Sequence, residues 1–182
     1  MRAYLDACIV LDYLLERNEA SIDFIENFAR KNGIKLVLSN LTLIETLAGM
    51  KDRFMLLKLI FEEGLTPEEV LRMRRERDPT KEELAGLLNQ LKKFVEFDVK
   101  DIAEILDEPK KDWQTILESL ETLKNTALDA TDALHVHNAL KAGCDVFLTR
   151  DGSTTRRVKQ HGLIAVKTPE EFMKEVKHQN SN

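Results

Sequence analysis

The sequence predicts an α/β fold: a three-layer sandwich with a central parallel sheet of about five strands flanked by helices, plus a helical insertion. Three observations predict it. Short, near-continuous apolar runs recur along the chain, the pattern of strands covered on both faces. Segments with apolar residues at helical spacing separate them, the alternation that builds parallel βαβ units. The length, 182 residues of which 43% are apolar, suits one domain with a substantial core. That domain is expected over 1–177, with the insertion at about 66–93 and a polar tail at 178–182.

Strand one starts near Arg2 and ends at Tyr4-Leu5-Asp6. Ile9 to Arg17 is helical, with Ile9, Val10, Tyr13 and Leu14 as its apolar side. Ser21 begins a second helix carrying Ile22, Ile25 and Phe28, and Asn32-Gly33 stops it. Lys35 to Leu38 is strand two. Ser39 or Asn40 caps the next helix, which carries Leu43, Ile44 and Leu47 and ends at Gly49; Lys51 to Glu63 forms another helix, broken by Gly64. Thr66-Pro67 and Asp78-Pro79-Thr80 are two helix starts, since proline suits a first helical turn, so 66–93 reads as an inserted helical pair. Phe94 to Val99 is strand three, and Asp101 opens a long helical stretch interrupted near Pro109 and ending about Asn125. Asp129 begins a helix to Ala142 that Gly143 ends. Asp145 to Thr149 is strand four, Ser153 to His161 a short helix, Leu163 to Val166 strand five, and Thr168-Pro169-Glu170 caps a last helix.

Charge and composition narrow the function. Lys plus Arg is 27 and Asp plus Glu 32, a net charge of −5, so the chain is not a general electrostatic binder of nucleic acid. Contact with a phosphate backbone then requires a local basic patch or bound metal. Aromatic residues make up 6%, too few for a base-stacking platform. The opening apolar run carries Asp6 and Asp12 and is too short to span a bilayer, and no secretion leader is legible. No membrane partner and a cytoplasmic location are expected. Cys8 and Cys144 lie far apart in apolar contexts and read as small buried hydrophobes of a reducing compartment.

In an open parallel sheet, function gathers at the carboxyl ends of the strands. Asp6 ends strand one; Ser39 and Asn40 end strand two, with Glu45 in the first turns of the following helix; Thr149 and Asp151 follow strand four. Asp129 is a plausible N-cap that puts Asp132 at the third helical position on that same rim. Four acids from distant parts of the chain thus converge. Two carboxylates ~4 Å apart repel by roughly 4 kcal/mol at an effective dielectric of about 20. Either their pKa values rise or a hard cation joins them, and oxygen ligands suit Mg²⁺ or Mn²⁺.

These segments resemble the PIN domain family. The resemblance rests on Tyr-Leu-Asp6-Ala-Cys-Ile-Val-Leu, on Leu-Ser39-Asn-Leu-Thr-Leu-Ile-Glu45, on Asp132-Ala-Leu-His-Val-His-Asn-Ala-Leu, and on Phe-Leu-Thr149-Arg-Asp151, in that order over nearly the whole chain. It implies a Mg²⁺- or Mn²⁺-dependent nuclease acting on RNA, with DNA as the other candidate substrate. It implies that Asp6, Glu45, Asp132 and Asp151 are the catalytic and metal-binding acids. It also implies partners, because many small members are toxins paired with an antitoxin protein and homodimers are common. Two departures stand out: Cys8 occupies a position that is often Ser, Thr or Asn, which removes a familiar polar neighbour, and the 66–93 insertion exceeds the compact toxin pattern.

Thr149 and Ser39 are expected to support the acids, Thr149 by hydrogen-bonding a ligand carboxylate or the attacking water. Arg150, Arg156, Arg157 and Lys159 flank Asp151 and are the first candidates to grip substrate; Arg72, Arg74, Arg75 and Arg77 are the second, weakened by Glu76 among them. His135 and His137 are two apart and share no helix face, so they read as core or surface residues rather than ligands, and Trp113 reads as packing. Two other functions stay open. A haloacid-dehalogenase-like phosphatase also wants an Asp after strand one and a Ser after strand two, but Cys8 stands where its general acid belongs. A non-catalytic PIN-fold module would bind a partner helix in a groove.

Overall fold

Arg2–Leu5 forms β1, and its residues alternate between two apolar surroundings: Ala3 and Leu5 face one core cluster, Tyr4 the other. The same alternation runs through β2 (Lys35–Ser39), where Leu36 and Leu38 oppose Val37, and through β4 (Val146–Leu148), where Val146 and Leu148 oppose Phe147. A period of two with apolar residues on both faces makes a sheet buried between two helical layers. With β3 (Ala103–Leu106) and β5 (Ala165–Lys167) the sheet has five parallel strands in the order β3-β2-β1-β4-β5. This computed structural model describes residues 1–73, 77–106, 117–118, 121, 124 and 128–180.

Eight helices are described here. α1 is Ala7–Leu14; α2 runs from Glu19–Asp23 through a wide turn at Phe24–Phe28 to Ala29–Lys31; α3 is Asn40–Phe61; α4 is Pro67–Met73; α5 is Lys81–Lys93, prolonged by a second wide turn at Phe94–Asp98. α6 is Ala130–Lys141, α7 Gly152–His161 and α8 Pro169–Gln179. The layer holding α1, α2 and α8 covers one face of the sheet with Ile9, Phe24, Phe28, Phe172 and Val176; α6 and α7 cover the other with Val136, Ala139 and Val158. Among the described residues, no helix is long and apolar enough to cross a membrane.

Three expectations are corrected. Phe94 to Val99 is not a strand: Val99 N–H donates to the Phe94 carbonyl at 3.0 Å, a five-residue turn that buries Phe94 and Val99 and leaves Phe97 69% exposed. The third strand comes later, at Ala103–Leu106, inside the stretch expected to be helical from Asp101. It lies at the sheet edge, half-buried, so it needs no continuous apolar run, and its register pairs Leu36 with Ala103. Gly49 does not end a helix; α3 passes straight through it. A Cβ there would meet Leu11 Cδ1 at 2.6 Å, so this glycine marks close approach of α1 to α3. The helix break near Pro109 and end near Asn125, Trp113, and Arg74, Arg75 and Glu76 lie outside the described residues.

Candidate metal centre

The chain reverses direction of strand addition at β1: β2 and β3 lie to one side, β4 and β5 to the other. In open parallel sheets such a switch point is where a crevice forms at the carboxyl ends of the strands. Asp6 leaves β1 with extended backbone and N-caps α1, yet its side chain makes no cap bond. Instead Oδ2 accepts from the Thr149 hydroxyl at 2.5 Å and from the Cys8 thiol at 3.1 Å. Thr149 follows β4 directly and is fully buried; its hydroxyl oxygen also accepts from the Asp151 N–H at 3.0 Å. Cys8 accepts from the Arg150 N–H at 3.3 Å. Burial, then the Asp6 charge, pushes the Cys8 thiol up to about 12, so it stays a donor at neutral pH. The polar neighbour expected to be missing at position 8 is present as a thiol.

Glu45 lies in the second turn of α3. That helix is started by Ser39, whose buried hydroxyl accepts from the Thr42 N–H at 3.1 Å. Glu45 Oε2 lies 2.7 Å from His135 Nε2, and the same nitrogen is 3.9 Å from Asp6 Oδ1. Ligand atoms of Asp6, Glu45 and His135 all fall within 4.8 Å of one another. On its other side the His135 ring meets Tyr4: Nδ1 is 2.8 Å from the Tyr4 hydroxyl, which is 2.7 Å from Ser39 Oγ. Ser39 therefore reaches the acids only through Tyr4 and His135. Burial pushes the Tyr4 hydroxyl up to about 12, so it keeps its proton.

Asp132 is the third residue of α6, whose N-cap Asp129 accepts from the Thr131 and Asp132 N–H groups at 3.0 and 2.9 Å. The Asp132 carboxylate does not close a capping box. It accepts from the Thr154 hydroxyl of α7. Half-burial raises the Asp132 pKa above its ordinary 3.8, the Thr154 bond opposes this, and Asp129, Asp151 and Asp6 add to it. Asp151 is exposed and N-caps α7, with Oδ1 accepting from the Thr154 N–H at 2.8 Å. The structure thus brings Asp6 and Glu45 into one tight group, with Asp132 and Asp151 near enough to be felt electrostatically but outside it. Among the described residues, no lysine or arginine forms an ion pair with any of the four acids.

The basic residues divide. Arg150 does not face the crevice freely: its guanidinium pairs with the nearly buried Asp12 at 3.0 Å and with Glu170. Arg156 is exposed and Arg157 half-buried on α7. Lys159 lines a separate cavity of about 450 Å³ with Val166, Lys167 and Glu171, and none of the four acids borders it. Arg77, from the second basic run, pairs with Glu63.

Sequence reasoning missed three residues of this site. The two-residue spacing of His135 and His137 points away from a shared site and hides His135. The useful spacing is to Asp132, three residues earlier and so on the same helix face. Tyr4 is legible only as a residue of strand one, though a tyrosine pointing to a buried face needs a hydroxyl partner. Thr154 left no legible signal, since its partner lies on another helix.

The PIN domain family model matches residues 3–160. No curated protein matches the chain. Its fold is similar to that of VapBC2 from Rickettsia felis bound to a DNA fragment from their promoter, with a TM-score of 0.56, 15% identity, and 92% of this chain and 98% of that one covered. PAE2754 from Pyrobaculum aerophilum is similar at a TM-score of 0.53 and 15% identity, covering 98% and 96%. VapBC-1 from nontypeable Haemophilus influenzae follows at a TM-score of 0.52 and 14% identity, covering 93% and 99%. With its parallel sheet, its acids at the carboxyl ends of the strands and a family model matched over most of its length, this chain belongs to the PIN domain family.

Proposed function

We propose that this protein is a divalent-metal-dependent endoribonuclease that hydrolyses phosphodiester bonds of RNA, and that it acts as the toxin of a toxin–antitoxin pair. One observation carries the reading. Asp6 and Glu45, from distant parts of the chain, present oxygens within a cation's reach of each other, and among the described residues no lysine or arginine neutralises them. A cluster left in that state repels itself, and a hard cation is the partner its oxygens suit. The toxin role leans on family membership, since many small members of this family serve that way.

Asp6 and Glu45, with Asp132 and Asp151 beside them, would hold Mg²⁺ or Mn²⁺. Bound there, such an ion neutralises phosphate charge and acidifies water. The chain's own residues do the positioning. Thr149 and Cys8 orient Asp6 from one side, and Thr154 holds Asp132. Asp151 is set in place by the cap it makes at α7. Arg156, exposed on α7, would grip the phosphate backbone, with Arg157 and Lys159 on the same helix as further candidates. Arg150 acts through its backbone and braces the β4 loop through Asp12 and Glu170. A phosphatase reading lacks its general acid, because the thiol of Cys8 stands where that chemistry wants a second carboxyl group.

The test is cleavage of a labelled RNA by wild type and Asp6→Asn, with Mn²⁺ and with EDTA. The expected result is cleavage only by wild type with Mn²⁺, with a loss of at least about 100-fold in the variant. Cleavage that survives EDTA or the substitution refutes the proposal.

A further inference from the structure

His135 is 1% exposed, lies between Tyr4 and Glu45, and the chemistry proposed above gives it no task. Its surroundings dictate where its protons sit. Glu45 Oε2, 2.7 Å from Nε2, belongs to a carboxylate, which only accepts. Two lone pairs do not approach that closely, so the imidazole carries its hydrogen on Nε2 and donates it to Glu45. Nδ1 is then bare and needs a donor. Tyr4 is one: its hydroxyl is 2.8 Å away and fully buried, a phenol O–H that can donate, and it accepts in turn from Ser39 at 2.7 Å. With that assignment every contact of the chain Ser39–Tyr4–His135–Glu45 pairs a donor with an acceptor.

Glu45 has the most to gain from this. Its side chain is 34% exposed, while that of His135 is 2% exposed. A glutamate on a helix surface loses rotamer freedom when it is held in one position. Without a fixed partner it would sweep through solvent rather than face Asp6. The imidazole is held by packing on all sides, so it can act as the fixed partner.

We infer that His135 is the positioning residue for Glu45: a buried tyrosine–histidine relay, anchored on Ser39, aims the helix-borne carboxylate at Asp6. The inference rests on the metal-dependent reading of the site. It separates His135 from the metal ligands, because a nitrogen that carries a hydrogen offers no lone pair to a cation. Outer residues of this kind set how well a ligand binds rather than binding themselves, and their loss typically costs 10–100-fold in metal affinity.

Calorimetric titration of Mn²⁺ into wild type, Glu45→Gln, His135→Leu and His135→Gln tests the assignment. His135→Leu is expected to weaken binding by about 10–100-fold. His135→Gln, which keeps a nitrogen donor on the same helix face, is expected to recover most of it. Nitrogen-15 spectra of the wild-type imidazole are expected to show Nε2 protonated and Nδ1 bare, without Mg²⁺ and with it. That measurement decides the matter even if His135→Leu does not fold. Loss of affinity in Glu45→Gln but none in His135→Leu overturns the assignment alone, as does a His135→Gln variant as weak as His135→Leu. Release of the Nε2 proton when Mg²⁺ binds also overturns it, by making His135 a ligand. Unchanged affinity in Glu45→Gln brings down the metal-dependent reading and this inference together.

Discussion

Asp6 receives two donors on one oxygen, Thr149 at 2.5 Å and Cys8 at 3.1 Å, and the weaker of them is the less ordinary. A thiol is a poor donor, but burial and the Asp6 charge push Cys8 up to about 12, and burial holds Cys144 at about 11. Only a thiolate attacks an alkylating reagent. Both cysteines are therefore expected to resist iodoacetamide at pH 8 in the native protein and to react readily in denaturant, measured by mass spectrometry; rapid native labelling of Cys8 contradicts the geometry. Cys8→Ser keeps a donor and is expected to retain Mn²⁺-dependent activity, whereas Cys8→Ala is expected to lose up to about tenfold in metal affinity. At this scale the residue types were legible and their partners were not. Asp6 and Asp132 stand out in sequence because an acid follows an apolar strand or opens a helix. Nothing in sequence says that a thiol at position 8 or an imidazole at position 135 turns toward Asp6.

Elements depend on contacts that sequence conceals to different degrees. Caps are local, so they were readable: Ser39, Asp129 and Thr168 each hold the helix start expected of them. Asp129→Ala is expected to cost about 1 kcal/mol of stability, visible in chemical denaturation, and also to weaken metal binding because Asp132 sits three residues on. Gly49 is the opposite case. Sequence reads it as a helix end, while its physical cause is Leu11, 2.6 Å from where a Cβ would stand. Gly49→Val is expected to destabilise by about 1–3 kcal/mol through overpacking of α1 against α3, despite the better helix propensity of most residues than glycine. A variant as stable as wild type would show that the two helices separate freely. The Phe94–Val99 segment misled because its apolar residues suit either a strand or a wide helical turn, and only burial of Phe94 beside exposure of Phe97 distinguishes them.

For the whole molecule, the strand order matters most. Placing β1 between β2 and β4 brings together the segments that carry Asp6, Glu45 and Thr149, and the gathered acids carry an electrostatic cost. Asp132 shows it: burial first, then its acidic neighbours, raise its pKa above 3.8. The folded state thus holds this proton more tightly than the unfolded chain. The resulting destabilisation is absent below the unfolded value of 3.8 and complete once pH passes the higher folded one. Asp132→Asn keeps an acceptor for Thr154 but sheds the charge. It is expected to melt above wild type in EDTA at pH 7, to lose that advantage as pH falls below 3.8, and to melt below wild type when Mn²⁺ stabilises the latter by mass action. Scanning calorimetry under the three conditions checks the order, and a variant that melts lower in EDTA at pH 7 argues against strain among these acids.

Apolar runs and helical spacing determined the fold class, four of the five strands and the caps, because each of these signals lies in residues close in sequence. The acids at strand ends were legible for the same reason: a parallel sheet sends every carboxyl end to one rim. Which of those acids meet, and what holds them, was decided by tertiary structure alone. Asp6 and Glu45 draw together with His135 because three distant segments pack to fix one buried imidazole, while Arg150 turns away to Asp12 and Glu170. Side-chain direction is set by neighbours across the fold, and for Asp6 and Thr149 those neighbours lie 143 residues apart in the chain.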